Sequence, residues 1–224
     1  MEIKITLLSD TTFGRGDGVS GLVDQEVEHD PFSGLPLLRG RTLKGLLVEA
    51  CADIFYSLER AGKMTEELRQ AAAFLFGEPG SDLEADAGIR IGAAQLPQLL
   101  RAAVTADVRA RRLTPADVLE SLTAIRRQTA VDEVKGRPED KSLRSMRVLI
   151  RGTELAAPVT VSAAWQPDQE TALALLAACV AGVRRGGIGR NRGRGHLQAR
   201  LWHDGQDQTA QHLAQFRQLI GATS

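Results

Sequence analysis

The chain of 224 residues carries 28 basic and 28 acidic side chains, so its formal net charge is zero with histidines neutral. That balance excludes a polyanion binder that works through the field of the whole molecule; any such site has to come from local clustering. With 4% aromatic residues and two cysteines, Cys51 and Cys179, a broad platform of stacked rings and a zinc site built from cysteines alone are also excluded.

In chain order, Ile3, Ile5 and Leu7 alternate with Lys4 and Thr6, which predicts a half-buried opening strand. The N-terminus has no signal-peptide pattern and no stretch is long enough to span a membrane, so a cytoplasmic protein with reduced, buried cysteines is expected. A glycine-rich stretch from Gly14 to Gly21 leads to an acidic segment with Asp24, Glu26, Glu28 and Asp30, of which Glu26 and Glu28 are expected to face solvent. Leu43, Leu47, Ala50, Ile54 and Leu58 fit one face of a helix, with Thr42 as its N-cap. A second helix spans Glu66 to Phe76 and stops at Gly77, before a polar loop through Gly80 and Asp82.

Ile89 and Ile91 begin a strand towards Leu96; the basic stretch from Arg101 to Arg112 has no clear assignment. Thr114-Pro115-Ala116-Asp117 reads as a helix start with proline in the first turn. Residues 126–145 are polar, charged and broken by Gly136 and Pro138, the composition of an exposed hairpin or arm. Two strands follow, one placing Met146, Val148 and Ile150 on a common face and one placing Val159, Val161, Ala163 and Trp165 together; they are expected to pair across Gly152 to Pro158. Asp168 to Val183 predicts a helix burying Leu173, Leu176, Val180 and Val183, then a closing strand from His196 to His203 and a terminal helix from Thr209 to Ile220. The order predicts an α+β, ferredoxin-like (RRM-like) sandwich: one domain over 1–224 with insertions around 57–87 and 97–145.

The densest chemical signal is Arg184 to Gly195, RRGGIGRNRGRG, with five arginines, five glycines and no acid. Glycine permits close backbone approach to a ligand, and the planar arginine fork suits phosphate. A second cationic block, Arg39, Gly40, Arg41, Thr42 and Lys44, surrounds a helix start whose unsatisfied N–H groups also attract phosphate. His29, His196, His203 and His212 form no triad or metal spacing with their sequence neighbours, and His203 and His212 read as surface residues.

The succession from Asp24 through Asp30-Pro31 to Leu43-Lys44-Gly45, with Phe74 to Gly77 (FLFG) and the late GIGRNRGRG, resembles the RAMP superfamily of CRISPR effector proteins. The nearest likeness is to the backbone subunit of type III (Csm and Cmr) complexes. That resemblance implies a subunit that stacks in a helical filament with copies of itself and other effector subunits along a CRISPR guide RNA, and captures complementary target RNA. It implies guide contacts from Phe13, Gly14, Arg15 and Gly16, from Arg39, Gly40, Arg41, Thr42 and Lys44, and from Arg190, Asn191, Arg192 and Arg194. It makes the polar arm from Arg126 to Arg147 a projecting β-hairpin thumb. Asp24 occupies the position of an aspartate needed for target-RNA cleavage with Mg²⁺ or another divalent cation, so an endoribonuclease acting within the complex is implied. A non-catalytic RNA-binding scaffold is the alternative. In either case the arginine loop is expected to grip the guide while chemistry takes place elsewhere, at Asp24.

Overall fold

The computed structural model describes residues 1–77, 87–129, 143–162 and 168–221. The chain forms β1 (Glu2–Leu7), β2 (Leu37–Leu38), α1 (Gly40–Arg60), α2 (Glu66–Phe76), β3 (Ile89–Ile91), β4 (Ala94–Gln95), α3 (Gln98–Arg109) and α4 (Pro115–Leu122). It continues with β5 (Thr123–Gln128), β6 (Arg144–Leu149), β7 (Glu154–Val161), α5 (Gln169–Gly182), β8 (Leu197–His203), β9 (Gln206–Asp207) and α6 (Thr209–Gly221).

Strict alternation puts Ile3, Ile5 and Leu7 of β1 on one face, all essentially inaccessible to solvent. β1 lies at the centre of an antiparallel sheet ordered β2-β4-β7-β1-β8-β9, with β3 also on β7. Ile5 stands opposite Leu155 on one side and Ala199 on the other, so the inward rows of three strands join into one apolar surface. The crossovers β1-α1-β3/β4 and β7-α5-β8 each skip one strand, which is the ferredoxin-like arrangement predicted from the order of elements. Helix α5 packs on β8 and is wedged among α1, α2 and α6. It is therefore buried nearly all round, Ala172, Ala174 and Ala177 included, with Leu173 the partly exposed leucine; its small side chains let four neighbours approach at once. Cys51 of α1 and Cys179 of α5 are both buried, and their thiols hydrogen-bond to each other. That bond and burial push the Cys179 thiol well above its usual value.

Two expectations need correction. β6 does not pair with β7: it forms a separate two-stranded sheet with β5, Ile125 opposite Arg147 and Gln128 opposite Arg144. The reason is patterning. Met146, Arg147, Val148 and Leu149 are all buried in sequence, so β6 is covered on both faces, whereas Leu155, Ala157 and Val159 of β7 alternate as a central strand of a one-sided sheet does. The base of the predicted hairpin is thus formed by β5 and β6; residues 130–142 of the arm lie outside the described residues, as do 78–86 with Gly80 and Asp82, and 163–167 with Ala163 and Trp165.

Thr42 is not the N-cap of α1. The helix starts at Gly40 with Arg39 as its cap residue, no side chain closes its first N–H groups, and its first turn holds no acid. Gly40 is required there because a β-carbon would come within 2.0 Å of the Ile91 carbonyl oxygen, where the helix end abuts the β3–β4 turn. The basic stretch from Arg101 to Arg112 is largely α3, a helix with no buried residue, and α4 starts after Thr114 as expected, where the structure adds a capping box: Asp117 N–H donates to Thr114 Oγ1 and Thr114 N–H to Asp117 Oδ2.

Candidate nucleic-acid interface

Four segments distant in sequence cross on one side of this fold. Thr11 exchanges two backbone hydrogen bonds with Leu149 at the end of β6, of 3.0 and 2.8 Å. Ile188 N–H donates to the Thr12 carbonyl (2.9 Å), Glu28 N–H to that of Phe13 (2.7 Å), and Gly195 N–H to that of Asp10 (3.2 Å). The opening loop is therefore sandwiched between the acidic segment and the arginine loop. Gly187 must be glycine at this crossing: its φ is +81°, and a β-carbon would sit 2.5 Å from the Thr12 carbonyl oxygen.

Phe13 anchors the crossing from inside. Its ring is buried, and a β-carbon on Gly186 would meet Leu46 of α1 at 3.1 Å, Leu197 of β8 at 3.2 Å and Phe13 at 3.3 Å. Phe13 thus provides no ring surface for stacking; it wedges the loops apart, while Gly14, Arg15 and Gly16 emerge exposed beyond it. The second and third turns of α1 meet the arginine loop through this packing and through a bidentate pair in which both Arg190 Nη atoms donate to Glu49, 141 residues away, at 2.7 and 2.8 Å.

Asp24 lies in a cleft of about 680 Å³ that Arg144, Gln128, Arg190, Asn191 and Arg192 also line. The arginine loop and Asp24 therefore border one cleft, not two separate places as expected. Among the described residues that line it, Arg144, Arg190 and Arg192 stand with one carboxylate, and Arg190 is paired with Glu49, so this lining is net cationic in a protein of zero net charge. Asp24 is fastened to the hairpin root: its N–H donates to the Ser145 carbonyl (2.9 Å), and its Oδ2 accepts from Ser145 N–H (2.6 Å) and Oγ–H (3.1 Å). Those bonds, with the Arg144 charge, hold its carboxyl below the usual carboxylate range. Oδ1 makes no hydrogen bond among the described residues.

The cations divide into two groups. Arg15 is tied to Asp17, Arg39 to Glu28 (2.8 Å) and Arg190 to Glu49, so these three are oriented by carboxylates. Among the described residues, Arg41, Lys44 and Arg192 have no ion-pair partner, and Arg194 turns its guanidinium onto the Met146 sulfur. Arg41 and Thr42 are exposed at the open N-terminus of α1, with Lys44 partly covered behind them.

Two acids expected in solvent are not there. Glu26 is 1% exposed and pairs with Arg147, 7% exposed, at 2.8 Å; Arg147 also donates to Thr123 Oγ1, and its own carbonyl accepts from Thr12 Oγ1. Glu28 is mostly covered by its pairing with Arg39. The legible signal for the first pair was an arginine inside the apolar run from Met146 to Leu149. Nothing in the sequence indicated Glu49 or Ser145, since each acts on a segment far from its own. Of the histidines, His29 donates its Nδ1 proton to the Val27 carbonyl (2.9 Å), and His212 is buried between Gln208 and Gln215, not on the surface.

Among the described residues no three His, Cys, Asp or Glu side chains gather as a metal cluster, and no helix is long and apolar enough to cross a membrane. A profile of the RAMP superfamily matches residues 4–198. The chain belongs to the RAMP superfamily. As a RAMP protein it shares its fold with the structure described as "Type III-B Cmr-beta Cryo-EM structure of the Apo state": TM-score 0.61, 13% identity, covering 92% of this chain and 98% of that one. A second, "Cryo-EM structure of the Type III-B Cmr-beta bound to cognate target RNA", has a TM-score of 0.57 at 13% identity, covering 88% and 95%. No curated protein matches. The superfamily and the ferredoxin-like fold are as the motifs implied.

Proposed function

We propose that this RAMP protein is an RNA-binding subunit of a type III CRISPR effector complex, holding guide RNA and presenting it to complementary target RNA. The observation that carries this reading is the cationic cleft, in which a glycine-bounded arginine loop, a hairpin root and Asp24 converge in a protein of zero net charge. Phosphate is the group these arginines suit, and a subunit that reads phosphate and ribose accepts any guide sequence, leaving specificity to base pairing. The similar Cmr-beta structure with target RNA supports the same class of ligand. Other effector subunits and further copies of this chain are the protein partners under this reading.

Within it, Asp24 is the catalytic residue for cleavage of target RNA. Its ionised Oδ1 borders the cleft, while Ser145 fixes Oδ2 and so the orientation of the carboxylate. One carboxylate oxygen, with phosphate oxygens and water as the other ligands, suits hydrated Mg²⁺ better than a dedicated protein cage would. Such an ion would neutralise charge on the scissile phosphate and its leaving oxygen. Asp24 would orient a ribose 2′-hydroxyl behind that phosphate, and Arg144 and Arg192 would stabilise charge growing on it. The second reading, a non-catalytic scaffold, is favoured by the lack, among the described residues, of any other carboxylate lining the cleft.

The binding claim is tested by replacing Arg190, Arg192 and Arg194 together with alanine and titrating single-stranded RNA across salt concentrations. Affinity is expected to fall, and the slope of log affinity on log salt to flatten by about 2, roughly 0.7 for each lost phosphate contact. Unchanged affinity and slope would reject the cleft as the RNA site.

A further inference from the structure

Cys51 and Cys179, the two cysteines of the chain, meet where α1 packs on α5. The helices approach closely at that point: a β-carbon on Gly182, in the last turn of α5 with Cys179, would lie 3.3 Å from the side chain of Ala50, next to Cys51. A glycine facing an alanine leaves little side chain between the two backbones, and the thiols beside them come into contact. The contact is not sealed. A cleft of about 360 Å³ opens beside it, with Ala50 and Gly182 in its wall and Glu49, Arg184 and Arg190 around them. Cys51 is 5% exposed and Cys179 not at all, so a small reagent reaches Cys51 first.

The two thiols are also unequal. The Cys179 S–H donates to Cys51, which holds the Cys51 thiol below its ordinary value; the same bond and burial push Cys179 well above it. One sulfur is thus the better nucleophile, since thiolate is the reactive form, and the other keeps its proton.

We propose that Cys51 and Cys179 form a peroxide-oxidisable dithiol, which closes to a disulfide tying α1 to α5 at the root of the arginine loop. In the first step the Cys51 thiolate attacks one oxygen of a small peroxide such as hydrogen peroxide. An S–O bond forms, the O–O bond breaks, and hydroxide leaves a sulfenic acid on Cys51. In the second step the Cys179 sulfur attacks that of Cys51. The S–S bond forms, the S–O bond breaks, and the departing hydroxide takes the Cys179 proton as water. Two electrons pass from the thiols to the peroxide, and a dithiol reductant reverses the link by exchange.

The position of the pair gives the link its consequence. Cys51 belongs to the turn of α1 that contains Glu49, the carboxylate that holds Arg190, and the end of α5 leads directly into Arg184. The disulfide fastens these two supports of the arginine loop to each other. This chemistry does not depend on the RNA-binding reading above.

The test uses the full chain, purified reduced, treated with hydrogen peroxide and then with an alkylating agent. The wild type is expected to lose both titratable thiols and about 2 Da of mass, and to yield one linked pair of peptides containing Cys51 and Cys179 while running as a single chain on a non-reducing gel. Its thermal midpoint is expected to rise by at least about 5 °C, the lower range for closing so long a loop, and to return with dithiothreitol. Cys179→Ser is expected to trap the sulfenic acid on Cys51, where dimedone labels it; in Cys51→Ser, Cys179 is expected to stay a thiol. If peroxide leaves both wild-type thiols free, carries them to sulfinic acid, or links two chains, the dithiol is overturned, and none of these readouts requires a variant to fold. Dimedone labelling of Cys179 in Cys51→Ser would overturn the assigned order of attack.

Discussion

Replacing Asp24 with alanine or asparagine in the assembled, guide-loaded complex is expected to reduce metal-dependent target cleavage by at least about a hundredfold, the lower range for removing a positioned acid–base group. Target binding should be retained. The two variants separate two jobs. Asparagine keeps an oxygen to accept from Ser145 and so keeps the loop on the hairpin root, but it removes the charge; alanine removes both. Loss in both variants assigns the effect to the carboxylate. Loss in alanine alone would make Asp24 a structural tie, and full cutting by both would leave the scaffold reading. The pH profile adds a check. Hydrogen bonds to the ionised form hold the Asp24 carboxyl below its ordinary value, so an acid limb due to Asp24 is expected at lower pH than an unperturbed aspartate would give. The Arg190–Glu49 salt bridge at the edge of the cleft is half exposed, so raising ionic strength should weaken RNA binding before it disturbs the fold.

Arg147→Met is expected to lower the unfolding free energy of the chain by about 3–5 kcal/mol, measured by urea denaturation, because it leaves the Glu26 carboxylate buried without a counter-charge. The double replacement Glu26→Leu with Arg147→Met should recover most of that loss, since an apolar pair of similar volume avoids desolvating two ions. A loss below about 1 kcal/mol in the single variant, the size typical of an exposed pair, would show that water reaches the site. The pair matters because of its place. Arg147 links the acidic segment, Thr123 of β5 and Thr12 of the opening loop. Loosening it frees the hairpin root against which Asp24 is set. In the double variant the fold should survive, so any remaining loss of cleavage would report lost positioning separately from lost stability.

The reading of elements from sequence worked where one local cause dominates. The helix start at Thr114 combines a capping box with a proline in the first turn, and both act within four residues. The alternation of β1 is decided by two-residue periodicity against one buried face. It failed where two faces compete. β6 carries an arginine in a buried row, and a period-two reading assigned that row to solvent because the partner, Glu26, is 121 residues away. The N-cap of α1 was misplaced for a related reason: the chain passes so close to the Ile91 carbonyl that only a residue without a β-carbon fits, and the helix starts there, at Gly40, two residues before Thr42.

For the site, the residue types were legible and the arrangement was not. Arginine and glycine between Arg184 and Gly195, and the cations around Gly40, state an affinity for phosphate in their own chemistry, and zero net charge makes that affinity local. The same sequence, through its spaced motifs, identified the superfamily. Only the tertiary structure decided which of those groups act together: it buried Phe13 beneath the loops, oriented Arg190 on Glu49, and brought Asp24 to the arginine loop by way of Ser145. The physical reason is one of range. Charge, hydrogen-bonding capacity and periodicity belong to a residue and its near neighbours, whereas a cleft is made by the crossing of segments more than a hundred residues apart, and packing decides where they cross.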